Sequence, residues 1–90
     1  MTVVLEGYIK VPLEELETIK SHLGEHIRNT LNEDGCLEFT VEQDAIDKCV
    51  FNVFEKFIDN DAFDAHQVRV KASDWSAITK NAKRVYEKIG

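Results

Sequence analysis

Residues 2 to 11 alternate imperfectly between apolar and polar positions and are rich in Val, Leu, Ile and Tyr, which predicts a first strand. Leu13, Leu16, Ile19, Leu23, Ile27 and Leu31 then recur at steps of three and four. That is the period of an amphipathic helix over about 12 to 32. Pro12 suits its first turn, and Glu14, Glu15 and Glu17 favour its N-terminus through the helix dipole. Gly24 inside it costs about 1 kcal/mol against Ala, and Glu33-Asp34-Gly35 stops it. From Cys36 to Gln43 the pattern is strict period two, with Leu37, Phe39 and Val41 on one face, so a second strand is expected. Asp44-Ala45-Ile46-Asp47 makes the turn into a third strand over residues 48 to 58.

That third strand carries Cys49, Phe51, Val53, Glu55 and Phe57 on one side and Val50, Asn52, Phe54, Lys56 and Ile58 on the other. A strand apolar on both sides needs helices on one face and another layer on the other. In a chain of 90 residues the simplest such layer is a second copy of itself. Asp59-Asn60-Asp61 is a capping cluster that opens a helix through Ala62, Phe63, Ala65 and His66 to about Val70. Ser73 or Asp74 caps a short helix from about Trp75 to Asn81. Residues 82 to 89 alternate Val85 and Ile89 against Arg84 and Tyr86 and predict a last strand. The order β-α-β-β-α-β predicts an α+β, ferredoxin-like domain with an antiparallel sheet, occupying residues 1–90 without a linker.

Charge narrows the range of partners. Seventeen acids against eleven bases give a net charge of −6. This argues against a nucleic-acid backbone, which requires a basic stripe, and against an anionic membrane surface. No membrane-length apolar run is present, and Glu6 and Lys10 interrupt any leader-like apolar stretch, so a cytoplasmic location is expected. Cys36 and Cys49 fall far apart across the expected hairpin, with Cys36 opposite a residue near 55, and are expected to stay reduced. There is no glycine-rich phosphate loop, Cys-x-x-Cys or Gly-x-Ser-x-Gly elbow. A small organic ligand or a protein partner fits this composition best.

Gly35-Cys36-Leu37-Glu38-Phe39-Thr40-Val41 resembles the Gly-Cys-Leu-x-Phe-x-Val strand of the antibiotic biosynthesis monooxygenase family. Glu25-His26-Ile27-Arg28 and Glu33-x-Gly35 resemble that family's exit from its first helix. Phe54-Glu55-Lys56-Phe57-Ile58-Asp59 and Ala62-Phe63-Asp64-Ala65-His66 resemble its strand-then-helix signature. Gln67-x-Arg69, Ser73-x-Trp75, Thr79 and Arg84-x-Tyr86 are similar to its quinol monooxygenase group. The resemblance implies a dimeric α/β-barrel, in which two sheets pack face to face, and chemistry without a cofactor. It speaks against haem cleavage: the haem-degrading branch carries an Asn on its first strand, and Thr2 to Val11 has none. Ser73-Asp74-Trp75 also stands where some members have a Pro-His pair.

His66 occupies the family's position for a pocket histidine and titrates in the range that suits proton transfer; the alternative is a structural histidine at a helix–sheet junction. Glu55 shares its face with Phe51, Val53 and Phe57, so it needs a partner or a raised pKa. It is expected to orient His66 or His26, or else to make a structural hydrogen bond. His22 and His26 have the spacing of two metal ligands but no obvious third; no metal site is expected, and His26 reads as a pocket wall. Trp75, Tyr86 and Phe54 offer aromatic surfaces to a planar ring, and Arg69 and Arg84 could stabilise an anion formed during reaction. Core packing and solvated charge are the corresponding structural readings. The resemblance therefore implies a cofactor-independent monooxygenase oxidising a small quinol or polyphenol with dioxygen. An isomerase acting on a small oxygenated metabolite and a non-catalytic dimeric binding module are the alternatives.

Overall fold

The computed structural model describes residues 1–90. Strand β1 (Val3–Lys10), helix α1 (Leu16–Leu31), strands β2 (Cys36–Gln43) and β3 (Val50–Phe57), helices α2 (Asn60–Lys71) and α3 (Asp74–Ile78) and strand β4 (Lys83–Ile89) follow in that order. The strands make one antiparallel sheet in the order β2-β3-β1-β4. This is the ferredoxin-like α+β arrangement expected from the pattern.

Period-two alternation decides what faces the helices. Val3, Leu5 and Ile9 of β1, Phe51, Val53, Glu55 and Phe57 of β3, and Phe39 and Val41 of β2 are all buried on one face. Ile9, Phe39, Val41, Phe51 and Val53 join Leu16 and Ile19 of α1 and Trp75 of α3 in the main core, while Val3, Leu5, Phe57 and Phe63 form a smaller cluster. Each fully buried large side chain here contributes about 1.5–3 kcal/mol. The opposite face keeps Tyr8 and Val85 partly exposed, because nothing in the chain covers it.

Three details depart from the sequence pattern. The buried stripe of α1 is Leu16, Ile19, His26 and Thr30, whereas Leu13 and Leu31 are 59% and 50% exposed. Extended backbone at Pro12 leads into a separate 3-10 turn over Leu13–Glu15, so Leu13 lies outside the helix proper. At the other end the helical period places Thr30 beneath the stripe and carries Leu31 past its edge. In β2 a register irregularity between Cys36 and Glu38 turns Leu37 outward. The hairpin after β2 is also longer than expected. The Asp44 carboxylate accepts from the backbone N–H groups of Ile46 and Asp47 and from Asn52. Cys36 consequently lies opposite Phe57 rather than residue 55, and both cysteines are free.

Gly35 links α1 to β2 with φ of +88°, and its carbonyl accepts from the Ile58 N–H at 2.8 Å. A Cβ there would lie 2.7 Å from Ala62 Cβ and 3.0 Å from Ile58 Cγ1. The turn is thus pressed onto the junction of β3 and α2, which brings the end of α1 beside α2. Gly35→Ala is expected to lower stability by about 1–3 kcal/mol, measured by denaturant unfolding. Unchanged stability would show that the junction relaxes freely.

Candidate active site

The same alternation that buries Phe51, Val53 and Phe57 delivers Glu55 to the helix side, where it is 6% exposed. Asp59 caps α2, accepting from the Ala62 N–H at 2.8 Å, and the helix then presents Phe63 and His66 to the sheet. The His66 ring packs 4.9 Å from Phe57 and 5.9 Å from Phe39. From α1, His26 stacks parallel on Trp75 of α3 at 4.5 Å, with its edge against Phe39. On β4, Arg84 and Tyr86 lie opposite Ile9 and Gly7, so they too face the helices. Glu55, His66, His26, Trp75, Arg84 and Tyr86 all line one pocket of about 300 Å³. Gln67, Lys71, Ser76 and Lys80 complete its rim.

Two residues expected at this pocket lie elsewhere. Phe54 neighbours Glu55 on β3 and therefore points to the opposite face, beside Tyr8 and Val85. Arg69 lines a separate depression outside His26 and Trp75. Its Nε donates to Glu33 and its Nη2 to Thr30 Oγ1 at 2.9 Å. His22 opens onto the same outer depression. No group of three His, Cys, Asp or Glu side chains there is placed to hold a metal ion.

Glu33 is the participant that sequence reasoning passed over. Its carboxylate lies 3.0 Å from His66 Nδ1. A carboxylate only accepts, so Nδ1 carries the proton and Nε2 keeps its lone pair. Nε2 lies 3.5 Å from Glu55 Oε1, an ion-pair distance without a hydrogen bond, and that oxygen is buried with no partner. Glu33, rather than Glu55, orients His66. The available signals were the match of Glu33-x-Gly35 to the family pattern and the three-residue spacing of His66 and Arg69, which puts both on one face of α2.

Burial, with the Glu33 charge adding to it, pushes the Glu55 carboxyl up to about 7. Burial pulls His26 down to about 4, helped by the nearby Arg69. His66 is also lowered by burial, with Glu33 countering in part. The Tyr86 ring is half-exposed, yet its hydroxyl is pushed up to about 12, by burial first and Glu55 second, against the pull of Arg84. Near neutral pH the pocket holds two uncharged imidazoles, a neutral phenol and a carboxyl group poised between its two states. Such a set can accept and return a proton.

The family model described as antibiotic biosynthesis monooxygenase matches residues 2–77. The chain belongs to the antibiotic biosynthesis monooxygenase family. Among solved structures, a conserved Bacteroides thetaiotaomicron protein of unknown function, named a candidate oxidoreductase, superposes with a TM-score of 0.84 at 19% identity. The match covers 98% of this chain and 95% of that one. A candidate family member from Deinococcus radiodurans gives 0.82 at 18% identity, over 100% and 91% of the two chains. MupZ from Pseudomonas fluorescens gives 0.78 at 22%, over 97% and 69%. These likenesses show a shared fold. No functionally curated protein matches the chain.

The shifts of Glu55 and His26 make opposite contributions to stability. Glu55 ionises at about 7 when folded against 4.5 normally, so the folded state binds the extra proton and stability falls as pH rises through that window, by about 3 kcal/mol. His26 moves from 6.5 to about 4, so the unfolded state binds the extra proton and stability rises with pH over that range by a similar amount. These two contributions therefore largely cancel in the wild type where the windows overlap. Glu55→Gln should show stability rising with pH up to about 6.5, and His26→Phe should show it falling up to about 7. Denaturant unfolding across pH checks this, and parallel curves for all three proteins would refute it.

Proposed function

We propose that this protein oxidises a small electron-rich phenol or quinol with dioxygen, without a cofactor. The observation that carries the reading is Glu55, a buried, unpartnered carboxylate poised near neutrality in a pocket walled by Trp75 and Tyr86. A phenol seated there gives its proton to the Glu55–His66 pair. Glu33, held by Arg69, fixes the His66 tautomer so that Nε2 takes up positive charge as the proton arrives. Arg84 lies in the same pocket, and its positive charge favours an anionic ligand there. The electron-rich anion reduces dioxygen; one oxygen atom replaces a ring hydrogen, the other leaves as water, and the phenol ends as a quinone, so the substrate supplies all four electrons.

A second, smaller space beside the acid–base groups gives dioxygen a place in this reading. A void of about 30 Å³ adjoins Glu55, His26 and Tyr86 and is otherwise lined by Ile9, Phe39, Val41, Val53 and Trp75. Six of its eight lining residues are apolar, and a molecule as small as dioxygen fits it.

The reading includes a homodimer through the open sheet face. Tyr8, Phe54 and Val85 lie there around a shallow depression of about 480 Å³. The like-charged cross-strand pairs Glu6/Glu87 and Lys10/Lys83 on that face repel within one sheet. A second copy docked so that the acidic pair of one meets the basic pair of the other would relieve this, although Lys10 also pairs with Asp47 in its own chain. Phe54→Asp is expected to shift the protein to monomer in analytical ultracentrifugation. A wild type that sediments as a monomer would rule this assembly out.

Oxygen uptake by metal-stripped protein against a panel of quinols and hydroxynaphthoquinones tests the activity. Glu55→Gln and His66→Ala should each reduce uptake by about 10²-fold or more, and Glu33→Gln by less. No uptake above the uncatalysed background would sink the monooxygenase reading.

A further inference from the structure

The pocket has a charge of its own, opposite to that of the protein. The chain carries six more acids than bases, yet Lys71, Lys80 and Arg84 all line this one pocket and none has a carboxylate partner. Arg69, by contrast, is neutralised by Glu33 just outside it. The guanidinium of Arg84 is nevertheless held in place. Its Nη2 donates to Thr79 Oγ1 at 2.6 Å, and its Nη1 donates to the carbonyls of Thr79 and Ala82 at 3.2 and 3.4 Å. Thr79 is itself fully buried, its hydroxyl donating to the Trp75 carbonyl at 2.7 Å. Neutral acceptors therefore fix the cation without cancelling its charge. The only acid lining the pocket is Glu55.

We propose that the ligand of this pocket is a small hydroxylated aromatic acid, its carboxylate held by Arg84 with Lys71 and Lys80, and its hydroxyl directed at Glu55. The phenolic end rests on the function proposed above; the preference for an anion does not. A preset guanidinium binds a carboxylate through charge-assisted hydrogen bonds without first having to be ordered. The two lysines add a focused field that draws an anion into the pocket despite the acidic surface around it. Tyr86 feels both Glu55 and Arg84, and all three line the same pocket. A neutral quinol would fill the volume and leave three cations unanswered.

Trp75 is the only tryptophan and forms part of the pocket wall, so its indole N–H signal in 15N-correlated NMR reports occupancy directly. Titration with 4-hydroxybenzoate and with 4-hydroxybenzamide compares an anion with a neutral analogue of nearly the same shape. The acid should bind roughly tenfold or more tightly than the amide, with an affinity that falls as salt is added. Arg84→Gln should bring the ratio close to one, while Arg84→Lys should keep part of it. A double Lys71→Gln/Lys80→Gln variant, altered only at exposed positions, should narrow the ratio and flatten the salt dependence. Equal affinities, tighter binding of the amide, an acid preference unchanged in these variants, or no response of Trp75 to either compound would each overturn the proposal. Neither titration involves dioxygen, so the anion preference can hold while oxygen uptake fails, or fail while uptake is seen.

Discussion

A carboxylate placed on the buried face of a central strand sets the terms for everything around it. Glu55 sits between Val53 and Phe57 and opposite Leu5 and Phe39, where an apolar side chain would pack without difficulty. Burying an ionised carboxylate without partners is costly, so the group keeps its proton up to about neutral pH. The histidines answer in the opposite sense and give up their protons early. The result is a site whose groups are uncharged or nearly so, close to the pH at which each would exchange a proton.

The support for that site is graded in polarity. Next to Glu55 stands His66, then Glu33, then Arg69, passing from the buried core to the edge of the helix layer. Each polar group satisfies the one inside it, and only the innermost, Glu55 Oε1, is left without a partner. A buried polar atom left open amid an otherwise paired network is where a ligand's hydrogen-bonding group fits.

Much of the fold was legible because strands of strict alternation admit few readings. The helix order, the four strands and the inward face of β3 follow from periodicity alone. Periodicity also separates Phe54 from Glu55, since adjacent strand residues point to opposite faces; attention to that parity would have removed Phe54 from the site. Strand β4 inverts the usual rule, with Arg84 and Tyr86 inward and Val85 and Ile89 outward. Its pattern reads as an ordinary half-buried strand until the pocket and the uncovered sheet face are seen together. Glu33 was hidden by its surroundings, because Glu33-Asp34-Gly35 looks like helix-stopping polar sequence. Its role depends on a meeting with α2, 33 and 36 residues later in the chain, and no local pattern encodes that.

That long reach bears on how the site comes into being. Thr30 and Glu33 belong to the first half of the fold, while His66 and Arg69 belong to the second; the bonds that join them close loops of more than thirty residues. Loop-closure entropy opposes such contacts until the intervening hairpin has formed. The pocket therefore takes shape only when α2 and α3 settle against α1. Partial opening of those two helices would erase the site without breaking a hydrogen bond between strands, so binding and the order of the helix layer are one property.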